Sequence, residues 1–68
     1  MTIEDRVAEL TGQDVEWCAA IIRAHQDRYP GGWQDWKIED RAKTMAAIIR
    51  RAIAAGEQSP ERIVLYFG

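Results

Sequence analysis

Reactive side chains are scarce in this chain: its 68 residues include one cysteine, one histidine and two prolines. The single cysteine, Cys18, excludes an intramolecular disulfide. Cys18 and His25 lie on one helix-like stretch, about 10.5 Å apart along the axis at 1.5 Å per residue. A nucleophile and its base need about 3 Å, so the two cannot act as a dyad. As metal ligands they fall short of the four that a structural zinc site uses. No P-loop, dinucleotide-type glycine pattern, Gly-x-Ser-x-Gly or zinc-ligand spacing occurs. The acidic pairs Glu4-Asp5 and Glu39-Asp40 sit where helices begin, and acids there complement the helix dipole. No run approaches the roughly 20 apolar residues that span a bilayer. The first residues lack the basic-then-apolar order of a signal peptide. These absences predict a protein without enzymatic activity, cofactor or metal, off the membrane, in a reducing cytoplasmic interior.

The hydrophobic share of 47% excludes a disordered chain, and the length allows one domain, residues 1–68. Much of that share is alanine, which buries little area, so self-association as a homodimer is one way to complete the core. Charge is uneven. Residues 1–35 carry three basic and seven acidic side chains, a net −4, whereas residues 36–68 carry a net +2. The acidic front half disfavours a generic phosphate-binding surface there and suits a partner with a basic surface.

Two identical blocks dominate the pattern: Ala19-Ala20-Ile21-Ile22-Arg23 and Ala46-Ala47-Ile48-Ile49-Arg50. A second echo, Ile3-Glu4-Asp5-Arg6 against Ile38-Glu39-Asp40-Arg41, opens two helix-like stretches. Ile3, Val7 and Leu10 recur at helical spacing, with Thr2 as N-cap and Thr11-Gly12 as the stop, predicting a helix over about 3–10. Asp14 caps a second helix over 15–28, with Val15, Cys18, Ile22 and Tyr29 on one stripe and Trp17, Ile21 and Ala24 beside it. Cys18 reads as a core thiol and His25 as a surface or edge residue. Tyr29-Pro30-Gly31-Gly32 ends this helix. A third helix is predicted over 38–55, with Ile38, Ala42, Met45, Ile49 and Ala52 inward, Ile48 and Ile53 flanking, and Gly56 as C-cap. The two Ala-Ala-Ile-Ile blocks are expected in or beside the contact between the second and third helices, because alanine permits close approach. Ser59-Pro60-Glu61 is a helix start, yet Ile63 to Phe67 favours strand. No other segment alternates like a strand, so a short fourth helix docked on the bundle is preferred. The fold class is all-α: a small three- to four-helix bundle with an N-terminal helix-turn-helix-like pair.

Three tryptophans in so short a chain are a signal. Trp17 reads as core or core rim. Trp33 and Trp36 follow the Pro-Gly-Gly turn and stand outside the apolar stripes, open between core packing and an interface anchor. With Asp35 and Arg28 they form the candidate partner-binding face.

The run Val7-Ala8-Glu9-Leu10-Thr11-Gly12-Gln13-Asp14-Val15-Glu16-Trp17-Cys18-Ala19-Ala20-Ile21-Ile22 resembles the helix-turn-helix of lactose-repressor-type DNA-binding domains. Val7, Ala8 and Leu10 match the first helix, Gly12 the turn, and Val15, Cys18 and Ile21 the second. The resemblance implies a helix-turn-helix geometry and, for a small transcriptional regulator, DNA binding with Arg23, Arg28, Arg50 and Arg51 as the basic candidates. In that family the second helix reads the major groove with polar or basic side chains, whereas here it opens with Asp14, Glu16 and Trp17. Ubiquitin-associated-type modules, which bind protein, share the short-helix, glycine-turn, helix pattern. In size, acidity and lack of catalytic residues the chain is also similar to small phage-encoded inhibitors, anti-CRISPR proteins among them. The expectation is therefore a non-enzymatic protein-binding module, an inhibitor or adaptor of phage or mobile-element type. Nucleic-acid binding is the alternative.

Overall fold

Local chemistry sets the ends of the helices. In a computed structural model that describes residues 2–67, Thr2 caps α1 (Ile3–Thr11) by accepting from the Asp5 N–H. Gly12 closes that helix in the left-handed region at φ 72°, where a side chain would be strained. Asp14 caps α2 (Val15–Arg28) through the Trp17 N–H at 3.1 Å. α3 (Ile38–Ala54) starts at Lys37 without a side-chain cap. The residue capping its other end is Ala55, one position before the Gly56 expected from the sequence. Gly56, at φ 93°, then turns the chain so that its N–H reaches the Ile53 carbonyl and the Glu57 N–H reaches that of Ala52. This pair of bonds satisfies carbonyls that the helix end would otherwise leave open.

The conflict at the C-terminus resolves as helix. Pro60 occupies the first turn of α4 (Pro60–Ile63), which continues as a 3-10 turn over Val64–Phe67. Ser59 makes no capping bond; its hydroxyl donates to the Glu61 carboxylate instead. Docking is partial. Ile63 and Val64 are buried and Phe67 packs against the core, whereas Leu65 (53% exposed) and Tyr66 face outward. Among the described residues no strand forms. No helix is long and apolar enough to cross a membrane.

The packing corrects the expected arrangement of the alanine blocks. Among the described residues no Cα of α2 comes within 8 Å of a Cα of α3, so the two blocks do not form a close helix pair. α1 occupies one seam between the long helices, packed on both, and α4 with its 3-10 extension occupies the other. The core is the space they enclose, filled by Val7, Cys18, Ile21, Ile22, Ala42, Met45, Ile49, Ala52 and Ile63. Bulky isoleucine and methionine side chains fill the core between α2 and α3, while α3 packs most extensively on α1. Ala46 is buried but Ala47 is exposed, and Ile38, expected inward, is exposed at the start of α3.

A radius of gyration of 10.7 Å compares with about 11 Å expected for a folded chain of this length. The single chain therefore reaches the compactness of a folded monomer without a second copy. Across the α1–α3 contact, Arg6 makes two 2.8 Å hydrogen bonds to the Glu39 carboxylate. Lys43 lies 3.8 Å from the same carboxylate, the expected pair along the helix face.

Candidate binding face

The turn after α2 is built to fold back on itself. The Tyr29 N–H closes α2 on the His25 carbonyl at 2.9 Å, and the Gly32 N–H then bonds the Tyr29 carbonyl at 2.9 Å. A Cβ at position 32 would meet that carbonyl at 3.1 Å and the Tyr29 Cβ at 3.3 Å, tight contacts that glycine avoids. Gly31 takes φ 78°, and Trp33, at φ 68°, is the one non-glycine among the described residues with positive φ. A side chain in that region costs about 1–2 kcal/mol, and for a residue as bulky as tryptophan it marks a position held by its surroundings.

What holds Trp33 is an aromatic cluster. Its ring centroid lies 4.7 Å from His25 and 6.0 Å from Phe67, with the rings tilted. His25 is also 5.2 Å from Tyr29 and 5.0 Å from Phe67. On the outer side Trp36 stacks on Trp33 at 5.0 Å and 12°, nearly parallel. The cluster thus grades from a buried centre to a solvent-facing rim. Trp33 is partly buried against the core, and Trp36 is 44% exposed. A hollow of about 230 Å³ opens between His25, Tyr29, Gly32, Trp33 and Phe67.

His25 is not a surface residue: it is 2% exposed, the buried polar residue at the centre of the cluster. Helical spacing contained the signal, since His25 falls four residues after Ile21 and three after Ile22, on the buried stripe. Its residue type argued the other way. Burial holds the imidazole below its ordinary value of 6.5, and the nearby Arg41 charge acts in the same direction. His25 Nδ1 and Arg41 Nε are both buried without a hydrogen-bond partner among the described residues.

Of the four residues expected on the face, Trp33 and Trp36 are brought together by their stacking. The Arg28 guanidinium stands 5.9 Å from the Tyr29 ring centroid, at the edge of the same surface. Asp35 is exposed on the turn between the tryptophans and makes no side-chain bond to the described residues. Sequence reasoning missed His25, Tyr29 and Phe67 as parts of this site. Phe67 could not be found from spacing, because only the folding of the C-terminal turn brings it to α2.

Trp17 belongs elsewhere. It is partly buried, and its indole N–H donates to the Gln58 carbonyl at 3.1 Å beside a second hollow of about 200 Å³. Cys18 is fully buried, 3.7 Å from the Thr11 hydroxyl, and burial pushes its thiol up from the ordinary value. A thiol so placed stays protonated at neutral pH and is a core side chain rather than a nucleophile. Among the described residues no three metal-ligating side chains gather. No family model, curated protein or solved structure matches the chain.

Proposed function

We propose that this chain is a non-enzymatic protein-binding module, acting as an inhibitor or adaptor, whose contact surface is the Trp33/Trp36 face. The observation that carries the reading is the stacked indole pair with its outer ring half in solvent. A monomer gains little by presenting a tryptophan to water, whereas interfaces are enriched in tryptophan, tyrosine and arginine at their energetic centres. The same surface supplies Tyr29 and Arg28. The positive φ at Trp33 adds support, because backbone strain of this kind concentrates at functional positions. The inhibitor role of the phage-encoded kind rests on size and acidity alone.

The test is affinity capture from a lysate of the native host with wild type and with Trp36→Ala. Trp36 makes its contact with Trp33 from outside the core, so its loss should leave the helical circular dichroism intact while removing the captured partner. Equal capture by a folded Trp36→Ala protein would detach the function from this face.

The alternative, a DNA-binding helix-turn-helix, draws support from the three-residue turn between α1 and α2. Against it, Asp14 and Glu16 stand at the start of α2, where phosphates would approach. Arg50 is engaged with the Leu10 carbonyl. A gel shift on random duplex at low salt should show no binding at concentrations where basic DNA-binding domains bind non-specifically.

A further inference from the structure

The turn between α2 and α3 is fastened to the rest of the molecule by aromatic packing. Its own hydrogen bonds are local: the Gly32 N–H bonds the Tyr29 carbonyl, that of Gln34 the Gly31 carbonyl, and that of Trp36 the Trp33 carbonyl. The long-range side-chain hydrogen bonds among the described residues run from Arg6 to Glu39, Trp17 to Gln58 and Arg50 to Leu10, and none involves residues 30–36. The ion pairs among the described residues also lie elsewhere. The anchor is Trp33, whose ring lies against His25 and Phe67 at the edge of the core. None of residues 30–36 belongs to the buried core itself.

His25 is thus the seat of the turn, and it is a seat that acid can charge. Its Nδ1 is buried without a hydrogen-bond partner among the described residues. A neutral imidazole carries one N–H and one bare nitrogen, whereas the imidazolium donates from both. Protonation in the closed cluster therefore leaves a charged donor at Nδ1 with no acceptor. The surrounding groups give little relief. α3 presents Arg41, a like charge, and no carboxylate offsets it at the ring. On α2, Asp27 and Arg28 are exposed, and Tyr29 packs its ring on the imidazole. On the turn, Trp33 makes the contact and Asp35 is exposed. The C-terminal turn presents the Phe67 ring, with Tyr66 facing outward. The three rings stand tilted by 40–47° to the imidazole, so they offer a cation only partial contact with their faces. Release of the turn also relaxes Trp33 from φ 68°.

We propose that protonation of His25 undocks residues 30–36, so that acid dissolves the Trp33/Trp36 face while the helical core stays folded. As regulation of a partner-binding face this rests on the proposed function, but the undocking itself is measured without a partner, so the two fail separately. The sign follows from proton linkage. The docked state holds His25 below its ordinary 6.5, and the undocked state lets water reach the ring. The docked form is therefore favoured above about pH 6.5 and loses ground as pH falls below it. Between pH 8 and 5 the undocked-to-docked ratio rises by up to about 30-fold, one proton being taken up.

NMR and circular dichroism of the intact protein between pH 8 and 5 test this. The Trp33 and Trp36 indole N–H signals should move, and the near-ultraviolet aromatic dichroism should fall, with a midpoint below 6.5. The Trp17 indole signal and the far-ultraviolet helical dichroism should hold. His25→Phe keeps a ring at the seat without a titrating nitrogen and should stay docked at pH 5. Arg41→Gln removes the like charge and should move the transition to lower pH, a readout that stands if His25→Phe fails to fold. Aromatic and helical signals lost together would overturn the proposal, since the opening would then be global. Titration of the His25 ring with the Trp33 and Trp36 signals unmoved would overturn it too, because the rings would be holding the imidazolium in place. So would indole signals unchanged down to pH 5, or the same acid transition in a folded His25→Phe protein.

Discussion

Shortening Ile63 tests whether the C-terminal turn belongs to the core. Ile63 is fully buried in the central cluster, on the short helix that fills the seam between α2 and α3. Replacing it with alanine removes three side-chain carbons at a site walled by two long helices that cannot easily close on the gap. Substitutions of this kind cost about 2–5 kcal/mol. A 68-residue domain has a total stability of about 3–10 kcal/mol, so the variant forfeits a large share of it. The melting temperature should fall by no less than about 8 °C, at 4–8 °C per kcal/mol for a domain of this size. Leu65, two residues on and 53% exposed, is the matched control. Leu65→Ala should stay within about 0.5 kcal/mol of wild type. Urea denaturation followed by circular dichroism measures both. Equal losses at the two positions, or a larger loss at Leu65, would refute the assignment of Ile63 to the core.

Three further outcomes follow from individual groups. His25 binds a proton more readily in the unfolded chain than in the folded one. Stability should therefore be intact above about pH 6.5 and decline as pH falls below it, and His25→Phe should flatten that slope in denaturation between pH 8 and 5. The Arg6 hydrogen bonds, with its charge, hold the Glu39 carboxyl below its ordinary 4.5. Its contribution is thus present above pH 4.5 and lost as acid titrates the folded-state group, and an NMR titration should show the Glu39 midpoint rising in Arg6→Gln. Gly56→Ala forces a side chain into φ 93° at the end of α3 and should cost about 1–2 kcal/mol by urea denaturation, although no atom lies within 4 Å of the added Cβ.

The sequence was most legible where structure depends on neighbours along the chain. Thr2, Gly12 and Asp14 cap and stop α1 and α2 as their types and positions require, and Pro60 starts the last helix. The apolar spacing of Val7, Cys18, Ile22, Met45 and Ile49 identified core residues. It could not identify which helices would be nearest neighbours. The repeated alanine blocks suggested a close α2–α3 pair, but a core wide enough for Ile21, Ile22, Met45 and Ile49 keeps those helices apart. The candidate face was half legible. Trp33 and Trp36 stood out because they lay off the stripes. His25 was hidden by the ordinary habits of histidine, and Phe67 by its distance along the chain.

Hydrogen–deuterium exchange on the complex with the captured partner tests the central claim most directly, by asking which backbone segments become protected on binding. The account predicts added protection over residues 29–37 and around Phe67, with the turn between α1 and α2 and the Trp17–Gln58 region exchanging as in the free protein. Protection confined to residues 12–17, or to the Trp17 hollow, with 29–37 unchanged, would contradict it.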